Sequence, residues 1–169
     1  SPDIQHKTDV GGVKLNIGNI DNAIKSYEEI HLNIKNNAPN AVIDGVMISP
    51  MVKGGIECIL GAKIDPVFGP IVMFGLGGIY AEVMKDIAFA EAPISHKKAE
   101  KMILSLKGKD LFYGARGQSS MDIEALKEII VNLSNFIAAN SNQIDQVEMN
   151  PILVSDKQVI ALDALIVTK

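Results

Sequence analysis

A histidine, a lysine and two acids crowd into residues 3–9, as Asp3, His6, Lys7 and Asp9. A free imidazole has a pKa of about 6.5, so a histidine can serve as nucleophile, acid or base at neutral pH, and a flanking carboxylate could orient it. The glycines that follow at positions 11 and 12 let the backbone turn closely. The alternative is a solvated loop with incidental charges, and composition alone favours that alternative.

Oxygen-bearing side chains form a second group near the end of the chain, where Glu148, Asn150 and Asp163 stand among apolar residues. If Glu148 and Asn150 share one face of a strand and Asp163 lies across from them, the group suits Mg²⁺. This ion is held through one or two carboxylates together with nucleotide phosphates. Ordinary solvent-facing residues that alternate with core residues are an equally good interpretation.

A glycine-rich run over residues 74–79 has the backbone freedom that lets several N–H groups converge on an anion. It lacks the Lys-Ser/Thr pair of a P-loop and the spacing of the dinucleotide fingerprint, so a tight turn between strands explains it as well. Lys53, Glu57 and Lys63 could serve a nucleotide, and Arg116 could clamp a phosphate or carboxylate. Surface solubility explains each of these four residues equally.

Composition limits the class of protein that could carry these residues. The 169 residues are 47% hydrophobic and 21% charged, which indicates one compact domain without an interdomain linker. The net charge of -4 does not indicate a basic surface that would bind nucleic acid or an anionic membrane. The uncharged stretch 66–81 is too short and too often broken by proline and glycine to span a bilayer. The single cysteine, Cys58, excludes an internal disulfide, fits a reducing cytoplasm and is predicted to be a buried structural thiol.

The elements that must position these residues follow from periodicity and turn chemistry. A strand over residues 13–17 is predicted after the opening loop, followed by an amphipathic helix from Ile20 to about Asn36. Three strands then form an antiparallel meander at residues 41–49, 56–63 and 70–74.

The second half of the chain alternates between strands and helices. Residues 80–93 hold another strand, Ser95 begins a short helix, and a longer helix starts at about Asp122. Two final strands, at residues 146–154 and 158–167, form a hairpin around residues 155–157.

Three motifs taken together resemble the ADP-forming acyl-CoA synthetases, in their ATP-grasp part. They are residues 1–13, residues 65–70 running into 74–78, and Glu148-Met149-Asn150-Pro151. The match covers essentially the whole chain, and the motifs occur in the family's order. The resemblance implies an α+β fold that is the C-terminal portion of an ATP-grasp fold, mainly antiparallel sheet packed with helices. It would cover residues 1–169, with the N-terminal lobe absent.

The resemblance also implies a reaction. In that family acyl-CoA and phosphate give an acyl phosphate, phosphate passes through histidines, and ADP is finally phosphorylated to ATP, with every step reversible. His6 matches the second phosphohistidine, which carries phosphate to the nucleotide site on a loop that we expect to move. The first phosphohistidine belongs to a CoA-binding part that this sequence does not contain. The activity would be that of an acid-thiol ligase, and we expect this chain alone to be inactive.

Site residues follow from the same resemblance and from the related succinyl-CoA synthetases. Asn150 and Asp163 look like Mg²⁺ ligands, and Glu148 would face a phosphohistidine. The remaining residues would bind ATP or ADP, with an adenine hinge at Ser49, Met51 and Val52, a ribose-binding acid at Glu57, phosphate contacts at Gly77 and Gly78, and Lys7 beside the reactive histidine.

One departure from the family's pattern shapes the expected partners. An ATP-grasp fold closes nucleotide between two lobes, and both the preceding lobe and a strand lysine upstream of the Ser-Pro-Asp motif are missing from this sequence. We therefore expect a CoA-binding domain or subunit as partner, which would bind CoA, in an oligomer located in the cytoplasm.

Two other functions are compatible with parts of the pattern. Similar synthetase-like regions act as non-catalytic ligand-sensing modules of protein acetyltransferases, but the carrier histidine tends to be replaced there, so His6 favours catalysis. A purely structural interaction domain would leave the metal-type residues Glu148, Asn150 and Asp163 unexplained.

Overall fold

The computed structural model describes residues 1–4, 6–78, 85–114 and 119–169. The chain divides into two compact units, Ser1–Lys53 and Gly54–Lys169. The division falls at a glycine pair, Gly54 and Gly55, whose φ angles are 79° and 96°. Residues with side chains rarely adopt such angles, so glycine permits this backbone conformation.

One helix, α1, organises the first unit and spans Ile20–Asn37. The side chain of Asn19 caps it by accepting a hydrogen bond from the Asn22 N–H at 2.8 Å. Its buried residues, Ile30 and Ile34, are four positions apart and therefore lie on one face. The predicted amphipathic helix is confirmed.

Both strands predicted in the first unit are wrong. Residues 13–17 and 41–49 have no strand structure, and most of their apolar side chains are exposed, as in Leu15 at 65% and Ile48 at 84%. A strand is stabilised by a hydrogen-bonded neighbour, and none pairs with these segments among the described residues. The Val42 N–H instead donates to the Asp3 carboxylate at 2.8 Å.

Six described strands lie in the second unit: β1 (Ile56–Asp65), β2 (Gly69–Leu76), β3 (Ile87–Glu91), β4 (Ile144–Val154), β5 (Val159–Ala161) and β6 (Ala164–Thr168). They form an antiparallel sheet in the order β3-β2-β1-β4-β5, with β6 also paired to β4. The pairing of β1 with β2 confirms the predicted meander for its last two members. In addition, β2 pairs with β3. The strand expected within residues 80–93 is confirmed as β3, although residues 79–84 lie outside the described part.

Two helices pack against one face of this sheet, α2 (His96–Ser105) and α3 (Ile123–Ala139). Their predicted starts are confirmed, because Ser95 accepts from the Lys98 N–H at 3.3 Å and Asp122 from the Ala125 N–H at 3.0 Å. A short 3₁₀ turn, Lys109–Leu111, follows α2. None of the helices found in the described ranges has the length and apolar character needed to cross a membrane.

The core lies between the sheet and the helices. Cys58 is fully buried there, and burial raises the pKa of its thiol, with the neighbouring Glu57 carboxylate raising it further. A neutral buried thiol is a poor nucleophile, so the prediction of a structural cysteine is confirmed. The Phe74 and Phe112 rings pack with centroids 6.1 Å apart.

The terminal hairpin differs from the prediction in one respect. The strand expected over residues 158–167 is two strands, β5 and β6, which are separated by Leu162 and Asp163. Pro151 of β4 faces this break, and it has no N–H to donate to the ladder. The Leu162 N–H still donates to the Pro151 carbonyl at 2.9 Å, so β4 and the segment between β5 and β6 stay aligned across the interruption.

A buried acid, Asp86, joins three parts of the second unit. Its carboxylate accepts hydrogen bonds from the Lys107 N–H at 2.8 Å and the Gly108 N–H at 2.7 Å. Its carbonyl oxygen accepts from the Leu76 N–H at 3.2 Å. The side chain is 4% exposed, so this acid has a structural role that no pattern in the sequence indicates.

We expect Asp86→Ala to lower the free energy of unfolding by about 3 kcal/mol, because two backbone N–H groups lose a charged acceptor. Urea unfolding followed by circular dichroism would measure the loss. Asp110→Ala removes an exposed carboxylate close by and is expected to change stability by less than about 0.5 kcal/mol. Equal effects of the two substitutions would show that the Asp86 hydrogen bonds contribute nothing specific.

Candidate functional site

The two faces of the second unit's sheet differ in chemistry. Cys58 of β1 belongs to the core beneath the helices, so by strand alternation Glu57 and Lys63 project from the opposite face. The register of β4 places Glu148 beside Gly61, on that same face. We call it the polar face, defined by Glu57, Lys63, Gln146, Glu148 and Asn150.

Three predicted residues come together on and beside β4. Glu148 Oε1 accepts a hydrogen bond from Asn150 Nδ2 at 3.1 Å, and Glu148 Oε2 accepts one from Gln146 Nε2 at 3.4 Å. The Asn150 N–H donates to the Asp163 carbonyl at 3.2 Å. Glu148 and Asn150 therefore share a face and Asp163 lies opposite Asn150, as the strand period predicts.

This group offers hard oxygen atoms from two carboxylates and one amide. In the described parts of the chain, no three His, Cys, Asp or Glu side chains gather closely enough to enclose an ion. Mg²⁺ does not need such a cage, since it usually keeps waters and binds one or two carboxylates plus substrate phosphates. The donor set fits that mode of binding, in which the ion would neutralise phosphate charge.

The glycine loop lies against the start of β1. The Gly77 N–H donates to the Glu57 carbonyl at 2.7 Å, and a Cβ on Gly77 would lie 3.0 Å from the same carbonyl oxygen. A side chain at this position would crowd the Glu57 backbone. A Cβ on Gly78, whose φ is 59°, would lie 3.5 Å from Glu57 Oε2. The structure thus brings Glu57, Gly77 and Gly78 together, although the Gly77 N–H is already used by the strand.

The Asp-Pro motif before this loop closes the β1–β2 hairpin. Asp65 Oδ1 accepts from the Val67 N–H at 2.9 Å and the Phe68 N–H at 3.0 Å. These two hydrogen bonds hold the pKa of the Asp65 carboxyl below its usual range. The motif is therefore explained by turn formation.

His6 and Lys7 belong to the first unit, where both are exposed. A compact turn follows them, in which the Gly12 N–H donates to the Lys7 carbonyl at 2.8 Å and the Gly11 N–H to the Thr8 carbonyl at 3.0 Å. The exposed imidazole stands at the head of this turn, so it is open to a reaction partner.

Two asparagines of α1 hold the end of that turn and were not singled out from the sequence. Asn33 Nδ2 donates to the Gly11 carbonyl at 3.0 Å, and Asn37 Nδ2 donates to the Val10 carbonyl at 3.3 Å. Their spacing of four on a predicted helix could have indicated a shared polar face.

The remaining predicted residues are less organised. Ser49, Met51 and Val52 lie in the first unit without helix or strand structure, and their adenine-binding role stays a prediction. Arg116 lies outside the described residues. His31 packs against Tyr27 with ring centroids 4.3 Å apart.

Comparison with known proteins relates this geometry to a family. Residues 1–168 match the family described as ATP-grasp domain. The beta subunit of acetate–CoA ligase [ADP-forming] II from Pyrococcus furiosus is 41% identical over 171 residues, covering 100% of this chain and 72% of the relative. The 4-hydroxybutyrate–CoA ligase [ADP-forming] of Nitrosopumilus maritimus is 45% identical over 157 residues, covering 93% of this chain. The chain spans only 22% of that ligase's length.

Solved structures agree with the sequence relatives. The dinucleotide forming acetyl-coenzyme A synthetase 1 of Ca. Korarchaeum cryptofilum, in complex with coenzyme A, Ca-AMPCP and HgCl+, aligns with a TM-score of 0.94 at 39% identity, covering 99% of this chain and 73% of that chain. Another structure of that synthetase contains coenzyme A and Mg-AMPPCP, with its phosphohistidine segment pointing towards the nucleotide binding site. It aligns with a TM-score of 0.83 at 36% identity, covering 100% and 73% of the two chains.

These matches confirm the predicted α+β ATP-grasp fold with its antiparallel sheet and helices. They extend over nearly the whole chain, and they include a beta subunit of which the chain covers more than two thirds. The chain therefore belongs to the ATP-grasp domain family, together with the beta subunits of ADP-forming acetyl-CoA synthetases.

Proposed function

We propose that this chain is the nucleotide-binding and phosphoryl-transfer component of an NDP-forming acyl-CoA synthetase. The overall reaction would convert acyl-CoA, ADP and phosphate to acid, ATP and CoA, reversibly, through a phosphohistidine at His6. The observation that carries the proposal is the exposed His6 at the head of a closed turn, in a chain of this family.

The proposed transfer exchanges one phosphorus bond for another. In the direction of ATP use, a neutral ring nitrogen of His6 attacks the γ-phosphorus, a nitrogen–phosphorus bond forms, and the bond to the β-phosphate oxygen breaks to release ADP. The reverse step transfers the phosphoryl group to ADP and returns the neutral ring. Such transfers pass through a loose transition state, so positioning and charge neutralisation supply most of the catalysis.

The described residues would divide this work. Asn150 and Asp163 would hold Mg²⁺, and Glu148 would face a phosphohistidine, where its carboxylate can accept a hydrogen bond from the second ring nitrogen. The residues that bind the nucleotide would be Lys7, Ser49, Met51, Val52, Glu57, Gly77 and Gly78.

We infer that a CoA-binding domain or subunit completes the enzyme as part of an oligomer, and that the enzyme works in the cytoplasm. The single cysteine and the beta-subunit relative support this inference. The ligand-sensing alternative predicts nucleotide binding without phosphorylation of His6.

Labelling tests the proposal. The complete synthetase, with its remaining ATP-grasp lobe and CoA-binding partner, would be incubated with γ-labelled ATP and Mg²⁺. We expect acid-labile, base-stable label on the peptide that contains His6. His96→Ala is the matched control, because it removes another exposed histidine at the start of α2 and should keep the label. Equal labelling of His6→Ala and wild-type protein would contradict the carrier role.

A further inference from the structure

A polar stripe runs along α1 and holds the chain just after the reactive histidine. Its members stand four residues apart, so they lie on one face of the helix. They contact the chain in reverse order of sequence, as a segment that runs antiparallel to the helix would require. The contacts join Glu29 Oε2 to Lys14 Nζ at 2.5 Å, Asn33 Nδ2 to the Gly11 carbonyl at 3.0 Å, and Asn37 Nδ2 to the Val10 carbonyl at 3.3 Å.

The central contact is a close one. Gly11 has a φ of 71°, and a Cβ at this position would lie 2.7 Å from Asn33 Nδ2. Any larger residue would therefore push the amide away from the backbone it holds. The backbone at Gly11 is fixed on α1, whereas His6, five residues earlier, is exposed.

A carrier histidine needs two mechanical properties. The imidazole must move between the phosphoryl donor and the acceptor. The end of the segment that carries it must stay fixed, so that each movement brings the imidazole to a defined position. Neutral side-chain amides are suited to hold the fixed end of the segment. They donate directional hydrogen bonds to carbonyls without placing a charge beside a phosphoryl group.

We propose that Asn33 and Asn37 are positioning residues that fix the pivot of the His6 segment, residues 6–12, by holding Val10 and Gly11 on α1. Movement of His6 then takes place upstream of Val10. The proposal rests on the carrier function proposed above, but the anchoring itself is a separate property that can be measured without phosphoryl transfer.

The test uses aspartate substitutions in the complete synthetase, because Asn→Asp keeps the shape and removes the N–H donor. The double variant Asn33→Asp with Asn37→Asp is expected to speed hydrogen exchange of the Gly11 and Gly12 amides about tenfold, with exchange in β1 and β4 unchanged. Unchanged exchange in those strands also reports that the variant is folded.

The same variant should slow single-turnover transfer from ATP to His6 about tenfold, with the nucleotide KM within about twofold of wild type. Asn36→Asp is the control for each single substitution, Asn33→Asp and Asn37→Asp, since it adds the same one negative charge on the same helix at an exposed position off the stripe. Asn33→Gln with Asn37→Gln retains the amide donors and is expected to recover part of the rate.

The outcomes separate the two proposals. Unchanged exchange at Gly11 and Gly12 would overturn the anchoring, and faster exchange with an unchanged transfer rate would overturn the positioning role. A raised KM with unchanged kcat would also count against the pivot, because it would indicate lost nucleotide binding. If wild-type protein takes no label on His6, the carrier function fails, while the exchange comparison still decides whether the asparagines hold the segment.

Discussion

Replacing His6 with alanine is expected to lower kcat of the complete synthetase at least about 10³-fold, because removal of a nucleophile eliminates the covalent route. Nucleotide affinity should stay within about twofold, since the imidazole acts on the phosphoryl group during transfer and contributes little to ground-state binding. Initial rates of ADP formation and calorimetric titration with an ATP analogue would measure the two quantities.

The control for this substitution is His96→Ala, which should retain wild-type kcat. Added imidazole is expected to restore a small part of the His6→Ala activity by accepting the phosphoryl group in place of the side chain. A fall in kcat of less than about tenfold would mean that phosphate reaches the nucleotide by another path.

Replacing Asp163 with asparagine is expected to produce the second largest effect. The substitution keeps the size of the side chain and removes one negative charge from the oxygen group beside Asn150. We expect the Mg²⁺ concentration for half-maximal activity to rise at least about tenfold and kcat to fall about 10²-fold, because less phosphate charge is neutralised in the transition state. Rates measured over a Mg²⁺ titration at saturating nucleotide would test both changes.

Asp156→Asn provides the matched control for the metal site. Asp156 is an exposed acid in the turn between β4 and β5, so its replacement makes the same chemical change in the same hairpin. Its Mg²⁺ dependence should equal that of the wild-type enzyme. If Asp163→Asn showed the same unchanged dependence, Asp163 would not be a metal ligand.

Features determined by neighbouring residues could be predicted from the sequence. Ser95 and Asp122 cap their helices through contacts three residues away, and periodicity identifies α1. The two-residue strand period correctly predicts that Glu148 and Asn150 share a face. In each case the information lies within one turn of helix or a few residues of strand.

Features that depend on distant partners could not be predicted in this way. Residues 13–17 and 41–49 have strand-like patterns, but no described strand pairs with them. The break opposite Pro151 becomes evident only once β4 is paired with β5 and β6. Asp86 takes its importance from hydrogen bonds to residues more than twenty positions away, which no local pattern encodes.

The candidate site shows the same limit. The hydrogen bond between Gly77 and Glu57 requires the register of β1 against β2, and the anchoring of the His6 segment requires α1 to fold against it. The identity of His6 as a candidate carrier came from the motif around it. Its placement at the head of a turn held by α1 gives that motif a structural basis.

The most direct test of the central claim is a chase of the labelled enzyme. Complete synthetase labelled from γ-labelled ATP would be separated from nucleotide, mixed with unlabelled ADP and Mg²⁺, and quenched at intervals shorter than one turnover. If His6 carries phosphate to the nucleotide, label should leave the His6 peptide and appear in ATP at a rate no slower than kcat. Label that persists on His6 through several turnovers, or that leaves only as inorganic phosphate, would contradict the carrier function.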